Sequence, residues 1–338
     1  MNTVSLSSDR ISKLAFGFMP ARVVLSAIDL ELFTTLDAAG PLTADELRVR
    51  LGLHHRSARD FFDALVAMEL LERAAGRYRN GPEASEYLVR DKGSYIGWNL
   101  AMASTRLYPH WGALTESLRT GQPQGEAARS HDFFSALYAD PARLKEFLAA
   151  MSTFTDRTGG AIARSFPWTE VKTFIDVGTA EGALPIILCT RHPHLSGLGF
   201  DLPAVRPFFE TAVATANLSS RLRFVEGSFF TDELPHADVI IMGHVLHDWN
   251  LDQKKLLIAK AHRALPANGV FIAYESIIDD ERKENLSGLL GSLNMLIETP
   301  GGFDYAFAEA RSWLLEAGFK SMELVPLVGP KSMIVARK

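Results

Sequence analysis

Apolar residues recur at helical spacing through Ala15–Leu36: Phe18, Val23, Val24, Ala27, Ile28, Leu30, Leu32 and Phe33. The pattern predicts a helix that is hydrophobic on more than one side and must be buried by something. Thr43 followed by Asp45 and Glu46 predicts a helix start, because a hydroxyl caps free N–H groups and acids suit the first turn. That helix runs to about Leu51, and Gly52 allows a turn. A second helix, about Ser57 to Met68, carries Phe61, Phe62, Leu65 and Val66 on one face. Leu70, Leu71 and then Arg77–Asn80 read as a short β-hairpin. Helix, turn, helix, hairpin is a winged-helix pattern. Ser94–Arg164 reads as several helices joined by the loop Gly121–Gly125. It is rich in aromatics, Tyr95, Trp111, Phe133, Phe134, Tyr138 and Phe154 among them. Core packing accounts for most such residues, and a subset is a candidate wall for a flat substrate.

Near residue 168 the pattern changes. Short β-rich runs, Thr173–Val177, Leu195–Phe200, Leu222–Val225, Asp238–Met242 and Val270–Tyr274, alternate with helical ones. The helical runs are Glu181–Arg191, Pro203–Asn217 and Leu251–Ala264. This alternation predicts an α/β fold, a doubly wound parallel sheet with helices on both faces. The end differs: Lys320–Leu327 and Ser332–Arg337 are separated by a tight Val-Gly-Pro-Lys turn and must pair antiparallel. The expected organisation is 1–105, a helical winged-helix part; 106–167, a helical linker contributing to a substrate pocket; and 168–338, a Rossmann-like domain.

Composition narrows the class. At 338 residues, with roughly 150 per domain, about two domains are expected. A net charge of -5 excludes a generally basic nucleic-acid coat. Pro41–Lys92 carries nine Lys/Arg and nine Asp/Glu. Phosphate neutralisation dominates DNA affinity, so this neutral winged module is poorly equipped for it. One cysteine, Cys189, excludes an internal disulfide and fits a reducing cytosol. No stretch free of Asp, Glu, Lys and Arg exceeds the thirteen residues of Asn285–Ile297, too short to span a bilayer. The N-terminus lacks a signal-peptide pattern, because Arg22 and Asp29 interrupt its apolar stretch.

The candidate chemistry lies at strand ends. Asp176–Gly182 (Asp-Val-Gly-Thr-Ala-Glu-Gly) follows the first strand and opens a helix. Glycines at Gly178 and Gly182 permit a sharp turn and close ligand approach. The three-glycine dinucleotide pattern and the phosphate-loop Lys-Ser/Thr are both missing, so the loop suits a ligand without phosphates, or is a plain tight turn. Asp201 ends the second strand, where an acid accepts ribose hydroxyls, or else caps the helix starting at Pro203. Ser228 stands where nucleoside-binding sheets often carry an acid for the adenine amino group, and Phe229 or Phe230 is placed to pack on that ring. His244 and His247 end the fourth strand. His247 is the best candidate base, since imidazole titrates near neutrality; His244 suits a backbone-bonded strand end. With Asp248 the pair also raises a metal reading, which no matching ligand set supports. Glu275 ends the neighbouring fifth strand, where a carboxylate would fix the imidazole tautomer. Asp304 in Pro300–Tyr305 is a second such carboxylate, or a turn residue.

On these residues the chain resembles the S-adenosylmethionine (SAM)-dependent O-methyltransferases of the caffeic acid and hydroxyindole (acetylserotonin) type, including bacterial secondary-metabolite members. The closing antiparallel hairpin is the usual ending of that sheet. The resemblance covers nearly the whole chain. It rests most on His244–Trp249 through Glu275, then on Asp176–Gly182 and Pro300-Gly-Gly. It implies that Asp176, Gly178, Gly182 and Asp201 hold SAM, with Phe229 near the adenine and Ser228 and His244 bordering the cofactor. It implies His247 as general base assisted by Glu275, a small-molecule acceptor, and a cytoplasmic homodimer interlocked through Met1–Leu36 and the winged module. Three departures stand out: Thr179 and Ala180 where glycines are frequent, Ser228 for an aspartate, and Phe303–Ala306 for a basic-Glu-Arg-Thr run. The last keeps two other readings open, carbon or nitrogen methylation and a non-methylating reaction. A SAM-sensing DNA-binding regulator is the reading from outside the enzyme class.

Overall fold

A computed structural model describes residues 7–128 and 137–338, without the side chains of Glu126, Phe154, Asp156 and Arg157. Met1–Leu6, Phe133, Phe134 and the Phe154 ring therefore lie outside the described residues. The chain divides into two units, Met1–Pro109 and His110–Lys338.

In the first unit the single helix expected over Ala15–Leu36 is three: Asp9–Ala15, Phe18–Asp29 and Leu32–Ala39. The break falls at Glu31, whose φ of 52° is incompatible with a continuous right-handed helix. Periodicity is blind to such a single-residue reversal. Leu32, Phe33 and Leu36 pack with Leu47, Phe62, Leu65 and Tyr78 in one core. Thr43 starts the helix Ala44–Arg50 through a capping box: its Oγ1 accepts from Glu46 N at 3.3 Å, and Glu46 Oε2 accepts from Thr43 N at 2.8 Å. The second helix is His55–Ala67. The wing has three strands, β1 (Leu42–Thr43), β2 (Leu71–Ala74) and β3 (Arg77–Asn80), in the order β1-β3-β2. Ile11, Leu14, Phe16, Phe18 and Met19 are exposed, from 52% to 72%. The stretch Asp9–Asp29 is by length and composition alone apolar enough to cross a bilayer, and within its helices only Leu25, Ala27 and Ile28 are buried.

The second unit opens with helical segments that include Pro141–Ser165, capped by Asp140, whose Oδ1 accepts from Ala142 N and Arg143 N. The sheet follows: β4 (Thr173–Val177), β5 (Ser196–Asp201), β6 (Leu222–Glu226), β7 (Val239–Gly243), β8 (Val270–Glu275), β9 (Ser321–Pro326) and β10 (Ser332–Arg337). The order is β6-β5-β4-β7-β8-β10-β9. The first five strands run parallel, and β10 lies antiparallel between β8 and β9. Alternation by two residues divides the core. Phe174, Val239, Ile241 and Ile272 face one layer; Ile175, Val177, Ile240 and Phe271 face the other. This is the doubly wound, hairpin-closed sheet expected from the pattern. Two helices, Leu286–Glu298 and Phe307–Ala317, are not among the elements that the pattern predicts.

Candidate active site

The carboxyl ends of the parallel strands gather the candidate residues. After β4 the chain turns through Gly178 at φ 74°, Ala180 at φ 50° and Gly182 at φ 82°. A Cβ on Gly178 would stand 2.8 Å from Val245 Cγ2, and one on Gly182 2.7 Å from Phe209 Cε2. Both glycines are thus required by conformation and by space. Asp176 is buried, and its Oδ2 accepts from the Thr179 hydroxyl at 2.9 Å. Asp201 Oδ2 accepts from Ala180 N at 3.0 Å, and its Oδ1 from Leu202 N at 2.8 Å. Asp201 therefore pins the β4 turn to the end of β5. It is not the N-cap of the following helical turn; that position is Leu202. The Tyr138 hydroxyl stands 3.5 Å from Asp201 Oδ1, and Ser152 donates to Glu181 Oε2 at 2.8 Å, which brings the helical segment onto this edge. Burial pushes the Asp176 carboxyl up to about 7 and that of Asp201 up to about 6. Among the described residues no cation pairs with either. Such carboxylates suit a ligand that brings hydroxyl or ammonium donors.

After β6, Ser228 N donates to Asp232 Oδ2 at 2.8 Å, and Ser228 Oγ accepts from Phe230 N at 3.3 Å. Phe229 meets Phe230 and Trp249 edge-on, at 4.9 and 5.8 Å between ring centroids. The serine hydroxyl thus supports the turn that holds these rings.

β7 continues into His244, at φ 53°, and a short helical turn, Leu246–Asp248. His244 N donates to Tyr274 O at 3.2 Å, and burial holds its imidazole neutral, well below the ordinary range. His247 is largely buried. Its Nδ1 lies 3.3 Å from Asp304 Oδ1 and its Nε2 3.6 Å from Asp248 Oδ1. Burial alone would lower the imidazole, but Asp248, Asp304 and Glu275 outweigh it and raise the group to about 9. Glu275 acts on the imidazole through its charge and through the backbone of the turn rather than by a bond to the ring. Its Oε1 accepts from the backbone N–H groups of Val245 and His247, each at 3.1 Å, and it makes no hydrogen bond to the ring. A strand-end carboxylate reaches the two N–H groups of the adjoining turn before it reaches the side chain. Asp304 takes the imidazole instead.

Asp304 is 3% exposed and lies in an extended segment beside the helix Leu286–Glu298. Asp304 N donates to Ser292 Oγ at 3.2 Å, and Ile278 N donates to Tyr305 O at 3.0 Å. Gly302 presses on the histidine turn: a Cβ there would stand 2.6 Å from His247 O and 2.7 Å from Asp248 O. Sequence reasoning missed Lys254, which is fully buried beneath this turn; an apolar-face position in Leu251–Ala264 was the available signal. Among the described residues no group of three or more His, Cys, Asp or Glu side chains is arranged for a metal ion. The arrangement sets an imidazole between acids, next to a tight glycine turn flanked by two buried carboxylates.

Residues 111–320 match the model of the O-methyltransferase domain, and residues 12–90 that of the O-methyltransferase dimerisation domain. The chain belongs to the SAM-dependent O-methyltransferase family. It is 43% identical to the tetracenomycin polyketide synthesis 8-O-methyl transferase TcmO of Streptomyces glaucescens, over 97% of this chain and 96% of that one. It is 36% identical to the N,N-dimethyltransferase OxyT of Streptomyces rimosus, over 91% of this chain and 89% of that one. Its structure is similar to that of human N-acetylserotonin methyltransferase in complex with SAM, with a TM-score of 0.90 and 27% identity, over 100% of this chain and 99% of that one. The methyltransferase's own residues fit SAM: the buried carboxylates of Asp176 and Asp201, with no cation paired to either among the described residues, flank a turn where a side chain would clash, and SAM brings a ribose diol and an ammonium rather than a phosphate.

Proposed function

We propose that the methyltransferase methylates a hydroxyl, phenolic or enolic, of a small aromatic or polyketide-like metabolite, with His247 as the general base. The observation that carries this reading is the His247 ring seated between Asp304 and Asp248 at the end of β7. Asp176, Asp201 and the turn from Gly178 to Gly182 hold the cofactor, with Ser228, Phe229 and His244 bordering it. Bound SAM supplies an electrophilic methyl group on a positively charged sulfur. Asp304 accepts the Nδ1–H of His247 and fixes the tautomer, so Nε2 is placed to receive the acceptor's hydroxyl proton; the oxygen–methyl bond would form as the sulfur–methyl bond breaks and the neutral thioether leaves. Glu275 holds the turn that carries the ring. Proton removal of this kind is typically worth about 10²–10⁴ in rate.

The test is incubation with SAM and a panel of phenolic and enolic polyketide acceptors, with products identified by mass spectrometry and NMR. The expected product carries one added methyl on oxygen. His247→Ala is expected to bind SAM with unchanged affinity and to lose about 10²–10⁴ in kcat; unchanged turnover would remove the general base. The likeness to OxyT favours a second reading, methyl transfer to nitrogen, which the NMR position of the new methyl distinguishes.

The same reading assigns the chain three parts. Residues 1–105 form the dimerising part, 106–167 line the acceptor side of the pocket, and 168–338 bind SAM. It makes the enzyme a cytoplasmic homodimer. Five of the module's nine cations support a non-DNA role: Arg48 pairs with Asp45, Arg77 with Glu46, Arg79 with Glu72, and Arg59 and Arg73 with Asp63.

A further inference from the structure

The helix Leu251–Ala264 carries a fully buried cation, Lys254, that no step above uses. Its Nζ donates to the Trp249 carbonyl, at the end of the turn that bears His247. The same ammonium lies 3.5 Å from the centroid of the Phe303 ring and 5.9 Å from that of Tyr305. Phe303 and Tyr305 are the two neighbours of Asp304. One charged group thus touches both halves of the imidazole's surroundings: the turn that presents the ring and the segment that presents its carboxylate. Cation–π contacts of this kind strengthen when desolvated.

The electrostatics point the same way. Burial lowers the Lys254 ammonium to about 8, while Glu275, Asp304, Asp248 and Glu309 each favour its charged form. Lys331, in the turn between β9 and β10, also faces Asp304 and Glu275. A buried charge is costly without partners. Among the described residues Lys254 has one carbonyl and two ring faces and no carboxylate within ion-pair distance.

We propose that Lys254 is a positioning residue of the methyl-transfer site, clamping the His247 turn to the Phe303–Tyr305 segment and balancing the carboxylates that surround the imidazole. This rests on the methyl-transfer reading above for its kinetic consequence but not for its electrostatic one. Without the ammonium the potential at the ring becomes more negative, so the imidazolium is held more tightly.

The experiment compares wild type with Lys254→Met, Lys254→Arg and Lys255→Met, an outward neighbour paired with Glu316. The readouts are Tm, kcat and KM for the acceptor, and the NMR titration of the His247 ring in the protein without cofactor. Lys254→Met is expected to raise the His247 titration by about half a unit or more. It is also expected to lower kcat about tenfold or more with KM changed little. Lys254→Arg restores both in large part, and Lys255→Met leaves both at wild-type values. An unmoved titration in Lys254→Met overturns the proposal, whatever happens to kcat. A kcat loss that Lys254→Arg does not restore also overturns it, because it marks a purely structural lysine. Should Lys254→Met fail to fold, Lys254→Gln removes the same charge with a side chain that can still donate to the Trp249 carbonyl, and an unmoved titration there overturns the proposal equally. If wild type moves no methyl to any acceptor, the functional reading fails, while the titration still decides the role of Lys254.

Discussion

An imidazole 3.3 Å from one aspartate and 3.6 Å from another is mostly protonated at neutral pH in the absence of ligands, at about 9. A base must be unprotonated to act, so the rate is expected to climb with pH through the apparent value of His247. The cationic donor and the desolvation that accompanies acceptor binding both disfavour the imidazolium, which places that value below about 9 in the loaded enzyme. The kcat–pH profile is expected to rise from about pH 6 toward about pH 9; a flat profile over that span would leave His247 without a role in proton removal. Sequence legibility at this scale followed chain direction. The gathering of His247, Asp176 and Asp201 was readable because parallel strands end at one edge. The partner of the imidazole was not, because choosing between Glu275 and Asp304 depends on how far a carboxylate sits above two backbone N–H groups, a matter of ångströms.

The elements around the site meet with little tolerance. Gly302 is packed so that a Cβ would lie 2.4 Å from Thr299 Oγ1 and under 3 Å from the carbonyl oxygens of His247 and Asp248. Backbone carbonyls cannot rotate aside as a flexible side chain can, so the segment carrying Asp304 must withdraw from the histidine turn. Gly302→Ala is expected to cost about 1–3 kcal/mol of stability, as overpacking usually does. It is also expected to lower kcat by more than tenfold, read by thermal melting and steady-state kinetics on the same preparation. Retained activity with a lowered Tm would show that the two segments need not touch for turnover. The strands and the helix Leu251–Ala264 were legible because period two and period 3.6 alternate cleanly there. The helix Leu286–Glu298 was not: its first twelve residues carry no Asp, Glu, Lys or Arg and give no charged face by which to recognise a period.

Across the whole molecule, one exposed apolar stripe stands out. Ile11, Leu14, Phe16, Phe18 and Met19 place five large apolar side chains within nine residues, all more than half exposed. Monomeric soluble proteins seldom leave such a stripe to water, and its location overlaps the match to the dimerisation domain at residues 12–90. The exposed helices Asp9–Ala15 and Phe18–Asp29 contribute few residues to the core of their own unit, so changing their outward side chains costs little in folding. Leu14→Glu combined with Phe18→Glu is therefore expected to halve the mass seen by light scattering while the melting of the unit His110–Lys338 stays near its wild-type temperature. Carboxylates buried at an interface without partners cost several kcal/mol in pairs, enough to dissociate a dimer at micromolar concentration. A variant that keeps the wild-type mass would move the dimer contact elsewhere. A variant that becomes monomeric yet retains full kcat would show that each SAM site is complete within one chain.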